Sequence, residues 1–277
     1  MPEVVRLEKQ PQPNMELYTM RRDGEALGTI CVPTRDHINA ATVTALIMTD
    51  FRWVPPGFTV EHVIVQGSIL TSQRNEAVQR MRGDWLMFID DDMVWQPDAV
   101  QKIVEAREEH DLDMLGGLCF RRAEPYQPTL FMRERADGGA YNFLETWPAD
   151  EIVEVDATGC AFLLIHKRVF EMIAGGEMPP HEYRVREGGP PPNFFRWEGT
   201  MGEDLRFCQD AKAAGARIWV HTGVEIGHVT EIKVGHRDFL MQVLQRDEAT
   251  YEARKKLNDD MGLPTLTRAE ALERLGL

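Results

Sequence analysis

Two hydrophobic periods alternate along this chain. Short continuous apolar runs, which suit strands buried on both faces of a sheet, are separated by segments whose apolar residues recur every three or four positions, the stripe of a helix lying on that sheet. The runs fall at Gly28–Pro33, Val60–Val65, Trp85–Ile89, Met114–Phe120, the end of Glu154–Ile165, and Arg217–Val220. Helical stripes fall at Ala40–Thr49, at Thr71–Met81, after Pro97 with Ala99, Val100, Ile103 and Val104, at His166–Ala174 and at Gly202–Ala214. This alternation predicts an α/β fold built on a doubly wound, mostly parallel sheet of Rossmann-like type. Ahead of it, Asp23-Gly24 is a turn signal between Leu17–Met20 and Ala26–Cys31, so residues 1–28 read as an extension with a hairpin or edge strand. From Arg237 the chain is charged and helical, with Phe239, Leu240, Val243 and Leu244 as its apolar face and Thr267 with Glu270 as a capping box. The predicted organisation is an extension over 1–28, a catalytic-type α/β domain over 29–232 and a C-terminal helical tail over 233–277.

The run Trp85–Ile89 organises the rest, because Asp90, Asp91 and Asp92 follow it without a break. In an open α/β sheet, ligands bind at the C-terminal ends of the strands. Side chains alternate along an extended segment, so Asp90 and Asp92 can face one way and Asp91 the other. Two carboxylates on one side make a hard-oxygen site for Mg²⁺ or Mn²⁺, with room for phosphate oxygens. The same triplet, taken alone, also fits a solvated turn capping the next helix.

The formal net charge is -14 and the pI about 5.1, which weighs against a nucleic-acid binder held by general electrostatics and leaves a metal-bridged nucleotide open. Cys31, Cys119, Cys160 and Cys208 lie in or beside apolar stretches with no CxxC pair, so they read as buried thiols of a reducing compartment. No apolar run is long enough to span a bilayer and the first residues lack a signal-peptide core, which makes a cytoplasmic protein the expectation.

Other chemistry-bearing residues stand at separate element ends. Glu203 and Asp204 open a helix, where the dipole favours the anion while burial and the neighbouring carboxylate raise pKa, so one of them suits a general base. Both also fit ordinary helix-start residues. His228 follows Gly227 late in the chain, and His221 competes with it as a ligand. Arg74-Asn75 lies at the N-terminal end of its helix, near the strand tips. Residues 176–200 are rich in proline and glycine and carry Tyr183, Phe194, Phe195 and Trp197, the composition of a lid, an acceptor wall or a plain insertion.

Taken in order, these elements resemble the GT-A-fold glycosyltransferases of the broad family 2 type. The resemblance rests on a buried strand ending in DxD (Asp90-Asp91-Asp92), the Thr158-Gly159-Cys160 strand with its short helix, the ED pair in GEDLRFCQDAKAAGARIWV, the late Gly227-His228, and the Arg74-Asn75 element. It spans about residues 29–231. It implies sugar transfer from a nucleotide-sugar donor (a UDP- or GDP-sugar) to an acceptor hydroxyl with inversion, using Mn²⁺ or Mg²⁺. By carry-over, Asp92 and His228 would be metal ligands. Asp90 would hold the ribose or donor sugar or ligate through water, and Asp91 would lie with it on the donor side. Asp204 would be the base, with Glu203 orienting the acceptor or Asp204. Thr34, Arg35, Gln66 and Arg74 would lie around the donor, and Gly159 and Cys160 on the acceptor side. One departure is Gln66-Gly67-Ser68, where relatives often carry an acidic residue that holds uracil, so the base stays open. Two alternatives remain beside it, metal-dependent nucleotidyl or phosphoryl transfer and a non-catalytic nucleotide-sugar-binding module. Pairing of the C-terminal helices in a homo-oligomer is open under each. The acceptor is open among a small glycoside, a polysaccharide, a protein and modified DNA.

Overall fold

The computed structural model of the chain describes residues 3–6, 15–21, 23–133, 140–176, 193–230 and 236–277. They form two compact units, residues 1–229 and residues 230–277. The first is built on strands β1 (Glu3–Arg6), β2 (Glu16–Arg21), β3 (Glu25–Thr34), β4 (Phe58–Gln66), β5 (Trp85–Ile89), β6 (Met93–Val94), β7 (Met114–Cys119), β8 (Leu130–Arg133), β9 (Tyr141–Phe143), β10 (Ile152–Val155), β11 (Ala157–Thr158), β12 (Phe162–His166) and β13 (Ile218–His228). Its helices are α1 (Ala40–Met48), α2 (Leu70–Arg80), α3 (Ala99–Glu109), α4 (Lys167–Ala174) and α5 (Glu203–Ala213).

The main sheet runs in the order β1-β2-β4-β3-β5-β12-β7-β13-β10, with β6 paired to β13. Strands β4, β3, β5, β7 and β13 share one direction, while β12 runs antiparallel between β5 and β7. This reversal matters for the site. The residues leading into β12, Thr158 to Ala161, arrive at the edge where the parallel strands end, and Asp90 N–H donates to Ala161 O there at 2.9 Å. The predicted turn at Asp23-Gly24 forms, with Gly24 at φ +135°, but no hairpin follows from it. Instead β4 lies between β2 and β3, antiparallel to one and parallel to the other. The apolar strand Val60–Val65 thereby gains a hydrogen-bonded neighbour on each side, and Leu17, Cys31, Val63 and Val65 share one core.

Alternation along β5 explains its unbroken apolar run. Trp85, Met87 and Ile89 join a core with Ala45 of α1 and Val100, Ile103 and Val104 of α3. Leu86 and Phe88 face the other way, onto Ala77 and Val78 of α2, Phe170 of α4 and Phe207 of α5. Helices on both faces leave no polar side for this strand. Gly28 in β3 is required by the same packing, because a Cβ there would lie 2.1 Å from Cδ2 of Trp85, which is 2% exposed. Gly28→Ala is expected to cost about 1–3 kcal/mol through overpacking, read as a lower urea midpoint with an unchanged m-value.

The second unit holds α6 (His236–Leu244), α7 (Glu248–Asp260) and α8 (Arg268–Leu275). Leu240, Val243 and Ala271 form its small core, and the Thr267–Glu270 capping box closes as the pattern predicts. Among the described residues no helix is long and apolar enough to cross a membrane.

Candidate active site

Strand β5 ends at Ile89 and delivers Asp90, Asp91 and Asp92 to the sheet edge, into three different environments. Asp90 meets Arg74, a residue of α2 that is 2% exposed. The Arg74 guanidinium bridges two elements, with Nη2 at 3.1 Å from Asp90 Oδ1 and Nη1 at 2.8 Å from Glu203 Oε1. Its Cζ lies over the rings of Phe88 and Phe195, at 5.7 and 6.0 Å from their centroids. Its Nε has no hydrogen-bond partner among the described residues. Beside it, Asn75 clasps the backbone of Phe195, accepting from its N–H at 3.0 Å and donating to its carbonyl at 2.8 Å. The Arg-Asn pair therefore binds the strand end, the start of α5 and the incoming loop into one body.

Glu203 and Asp204 occupy the first turn of α5, as the pattern predicts. Glu203 is buried on Arg74. Burial raises its carboxyl above the ordinary range, with Arg74 opposing that rise. Asp204 uses Oδ1 to accept from Leu205 N–H at 2.7 Å. Its Oδ2 lies 3.7 Å from where a side chain on Gly159 would begin, so the bare glycine leaves space before that oxygen. Burial pushes the Asp204 carboxyl up, again against the pull of Arg74. Cys160 is fully enclosed, and burial raises its thiol well above the ordinary range.

Asp92 faces a different set. Strand β13 pairs with β6 at His228–Met93 and Gly227–Val94, and Val229 N–H donates to Asp92 O at 2.8 Å. This brings His228 Nε2 to 3.0 Å from Asp92 Oδ2, while His228 Nδ1 sits 3.0 Å from the carbonyl of Phe120. Arg122 Nη1 reaches the same Asp92 oxygen at 3.0 Å. Burial alone would raise Asp92; the bond to His228, with Arg122 added, outweighs it and holds the carboxyl low. The bond to Asp92 raises His228 in turn. His221 lies elsewhere, with Nδ1 accepting from Gly223 N–H at 3.1 Å and burial lowering its pKa. Among the described residues, no three His, Cys, Asp or Glu side chains come together as a ready metal cluster.

Asp91 turns to the end of β3 and the turn that follows it. Burial raises its carboxyl, with the Thr34 side chain opposing that rise, and the Thr34 hydroxyl donates to the carbonyl of His37 at 3.0 Å. Gln66 donates to Asp36 O at 3.3 Å, and Arg35 is exposed on the same turn. Gln73 of α2, 3% exposed, draws these tips together through the carbonyls of Thr34, Val65 (2.9 Å) and Gly67 (3.1 Å). The aromatics of residues 176–200 separate sharply. Phe194 and Phe195 are core, Phe195 stacking on Phe207 at 4.4 Å between centroids. Trp197 is 63% exposed, its ring 3.9 Å from where a side chain on Gly202 would begin. Tyr183 lies outside the described residues.

Arg122 and Gln73 are the site residues that pattern reading passes over. Arg122 sits in an aperiodic stretch where nothing marks one arginine from its neighbour Arg121. Gln73 looks like an ordinary polar helix position, and a glutamine buried against carbonyl oxygens has no sequence signature.

Residues 62–168 match the family model described as Glycosyl transferase family 2. The match runs from β4 to the start of α4 and includes Arg74, Asp90, Asp91, Asp92 and Gly159; Glu203, Asp204 and His228 lie beyond it. Similar solved structures include A197 from STIV (16% identity, 73% of this chain and 86% of that one, TM-score 0.44). Another is S. aureus TarS 1-349 in complex with UDP-GlcNAc (14% identity, 90% and 75%, TM-score 0.46). A third is GalNAc-T7 with UDP, GalNAc and Mn²⁺ (11% identity, 90% and 57%, TM-score 0.49). No curated protein matches the sequence. The matched segment thus holds the Asp90–Asp92 end of the site, and Glu203 and His228 are joined to it by Arg74, Asp92 and the pairing of β6 with β13.

Proposed function

We propose that this chain transfers a sugar from a nucleotide-diphosphate sugar to an acceptor hydroxyl, with Asp204 as general base and a divalent ion held by Asp92 and His228. The observation that carries the reading is the pairing at Asp92. With its Nδ1–H donated to Phe120 O, His228 turns Nε2 to a carboxylate oxygen 3.0 Å away, where the bond favours the charged ring and loss of the Nε2 proton leaves two acceptors facing each other. Two acceptors at that distance need a positive species between or beside them, a proton or a metal ion. A backbone carbonyl on the far nitrogen is also the usual way a ligating histidine is oriented. The donor set, one carboxylate and one imidazole, suits Mn²⁺ or Mg²⁺ that would be completed by phosphate oxygens and water. When bound, such an ion supplies Lewis-acid stabilisation of the departing nucleoside diphosphate.

The chain's own residues divide the remaining work. Asp90, held by Arg74, would bind the donor, and Thr34, Arg35 and Gln66, at the ends of β3 and β4, would surround the base and ribose. Asp204 Oδ2 takes the proton of the acceptor hydroxyl as its oxygen bonds to the anomeric carbon and the bond from that carbon to the phosphate oxygen breaks. Attack on the face opposite the leaving group inverts the centre. Gly159 leaves room in front of that oxygen, and the exposed face of Trp197 offers a wall for the acceptor.

Thermal denaturation with UDP or GDP, each with and without Mn²⁺, tests the reading. A nucleoside diphosphate at about 100 times its Kd stabilises by about 2.7 kcal/mol, so the midpoint rises when Mn²⁺ and the matching nucleotide are both present. Asp92→Ala is expected to abolish the Mn²⁺-dependent part of that rise and the sugar transfer itself. An unchanged rise and unchanged transfer in this variant would overturn the metal assignment. Release of pyrophosphate in place of nucleoside diphosphate during turnover would point to nucleotidyl transfer instead.

A further inference from the structure

A single loop approaches the Asp92–His228 pair twice. Residues 120–128 form a closed turn, with Phe120 bridged to Pro128, Arg121 N–H donating to Gln127 O at 2.9 Å and Gln127 N–H to Pro125 O at 2.7 Å. Thr129 N–H donates to Cys119 O at 2.9 Å and ties the base of the turn to the end of β7. From this frame Phe120 presents its carbonyl to His228 Nδ1, and Arg122 presents its guanidinium to Asp92 Oδ2. Arg121 is engaged otherwise, on Gln127 Oε1 at 3.1 Å and over the Phe143 ring at 5.9 Å. The backbone of the loop is pinned, whereas the Arg122 side chain is 66% exposed.

The Arg122 guanidinium and a divalent ion have claims on the same oxygen. Asp92 Oδ2 already faces His228 Nε2 and Arg122 Nη1, each at 3.0 Å. A dication there repels the guanidinium, and a solvent-exposed ion pair is a weak restraint against that. Released from Asp92, a guanidinium on a pinned loop remains beside the site, where its planar fork matches phosphate oxygens.

Resting on the function proposed above, we infer that Arg122 exchanges partners. In the empty site it occupies the metal-binding oxygen of Asp92. In the loaded site it binds the diphosphate of the donor and of the departing nucleotide. The residue would thus couple ion entry to donor capture, since Arg122, once displaced from Asp92 by an ion, would be free to clamp the phosphates.

The exchange predicts effects of opposite sign from one substitution. Mn²⁺ affinity without nucleotide, read by the loss of the free-ion electron paramagnetic resonance signal, should be about 2- to 5-fold tighter in Arg122→Gln than in the parent, since a competing ion pair worth up to ~1 kcal/mol is gone. Affinity for UDP or GDP at saturating Mn²⁺, read by calorimetry, should fall about 10- to 100-fold with the loss of charge-assisted bonds. Arg122→Lys should restore part of the nucleotide affinity. Because Arg122 is exposed, the midpoint of thermal unfolding without ligand should stay within about a degree or two of the parent, which separates these effects from misfolding. Unchanged nucleotide affinity in Arg122→Gln overturns the diphosphate role. Unchanged or weaker Mn²⁺ affinity overturns the exchange. If the parent chain binds neither nucleotide with Mn²⁺, the glycosyltransferase reading fails and this inference falls with it; binding by the parent with no change in the variant sinks the inference alone.

Discussion

Asp204→Asn is expected to lower kcat by about 10²–10⁴-fold, the range lost with a positioned general base, while donor affinity stays within about twofold of the parent. The asparagine keeps Oδ1 as acceptor for Leu205 N–H, so the start of α5 is preserved. Stability gives an independent check. The Asp204 carboxyl is raised by burial in the folded chain, so ionising it costs folding free energy at pH values above its unfolded pKa. That cost lessens as the pH falls and the folded carboxyl takes up its proton. The neutral isostere removes it, and the midpoint of Asp204→Asn at neutral pH should equal or exceed that of the parent. The acid limb of kcat in the parent should lie above the ordinary carboxylate range for the same reason. A variant that keeps parental kcat would remove Asp204 from the chemistry.

Arg74→Met should have the largest effect on stability. Removing one partner of a buried ion pair leaves uncompensated charge and costs about 3–5 kcal/mol. Here two carboxylates lose their partner at once, Glu203 at 7% side-chain exposure and Asp90 at 29%. Asp90 can recover water, so the loss should lie nearer the lower end of that range and come mostly from Glu203. Adding Glu203→Gln should therefore return much of the stability without returning donor affinity, because Asp90 remains unanchored. Arg74→Lys should fall between, since one ammonium cannot hold two carboxylates on different elements as a planar fork does. Urea unfolding and nucleotide binding on the three variants check this. Full stability in Arg74→Met would show that the bridge contributes nothing to the fold.

Much of the site was legible as residue types at element ends. Asp90 and Asp92 follow a strand whose five residues are all buried, and such a run signals a central strand wherever it occurs. Glu203 and Asp204 open α5 because acidic residues suit a helix N-terminus. Their meeting was not legible. Arg74 touches Glu203 across 129 residues of chain, and His228 touches Asp92 across 136. No local period reports on separations of that size. The direction of β12 was hidden for a related reason. An apolar run buried on both faces looks the same whether its neighbours run with it or against it, and hydrogen-bond partners decide between them.

Local pattern alone settled the class of fold, the helices on both faces of the sheet, the helical tail and the identity of the acidic residues at the strand and helix ends. Those features depend on side-chain period and on the chemistry of single positions. Tertiary structure alone decided that β4 separates β2 from β3, that Phe194 and Phe195 are core while Trp197 is exposed, and that Arg74 is the buried tie between Asp90 and Glu203. It also decided that Arg122, and not Arg121, shares an oxygen of Asp92 with His228. These outcomes depend on which surfaces distant segments bury against one another. That is a property of the closed chain, and the burial that sets the pKa of Asp204 or the charge on the Asp92–His228 pair exists only once the chain has closed.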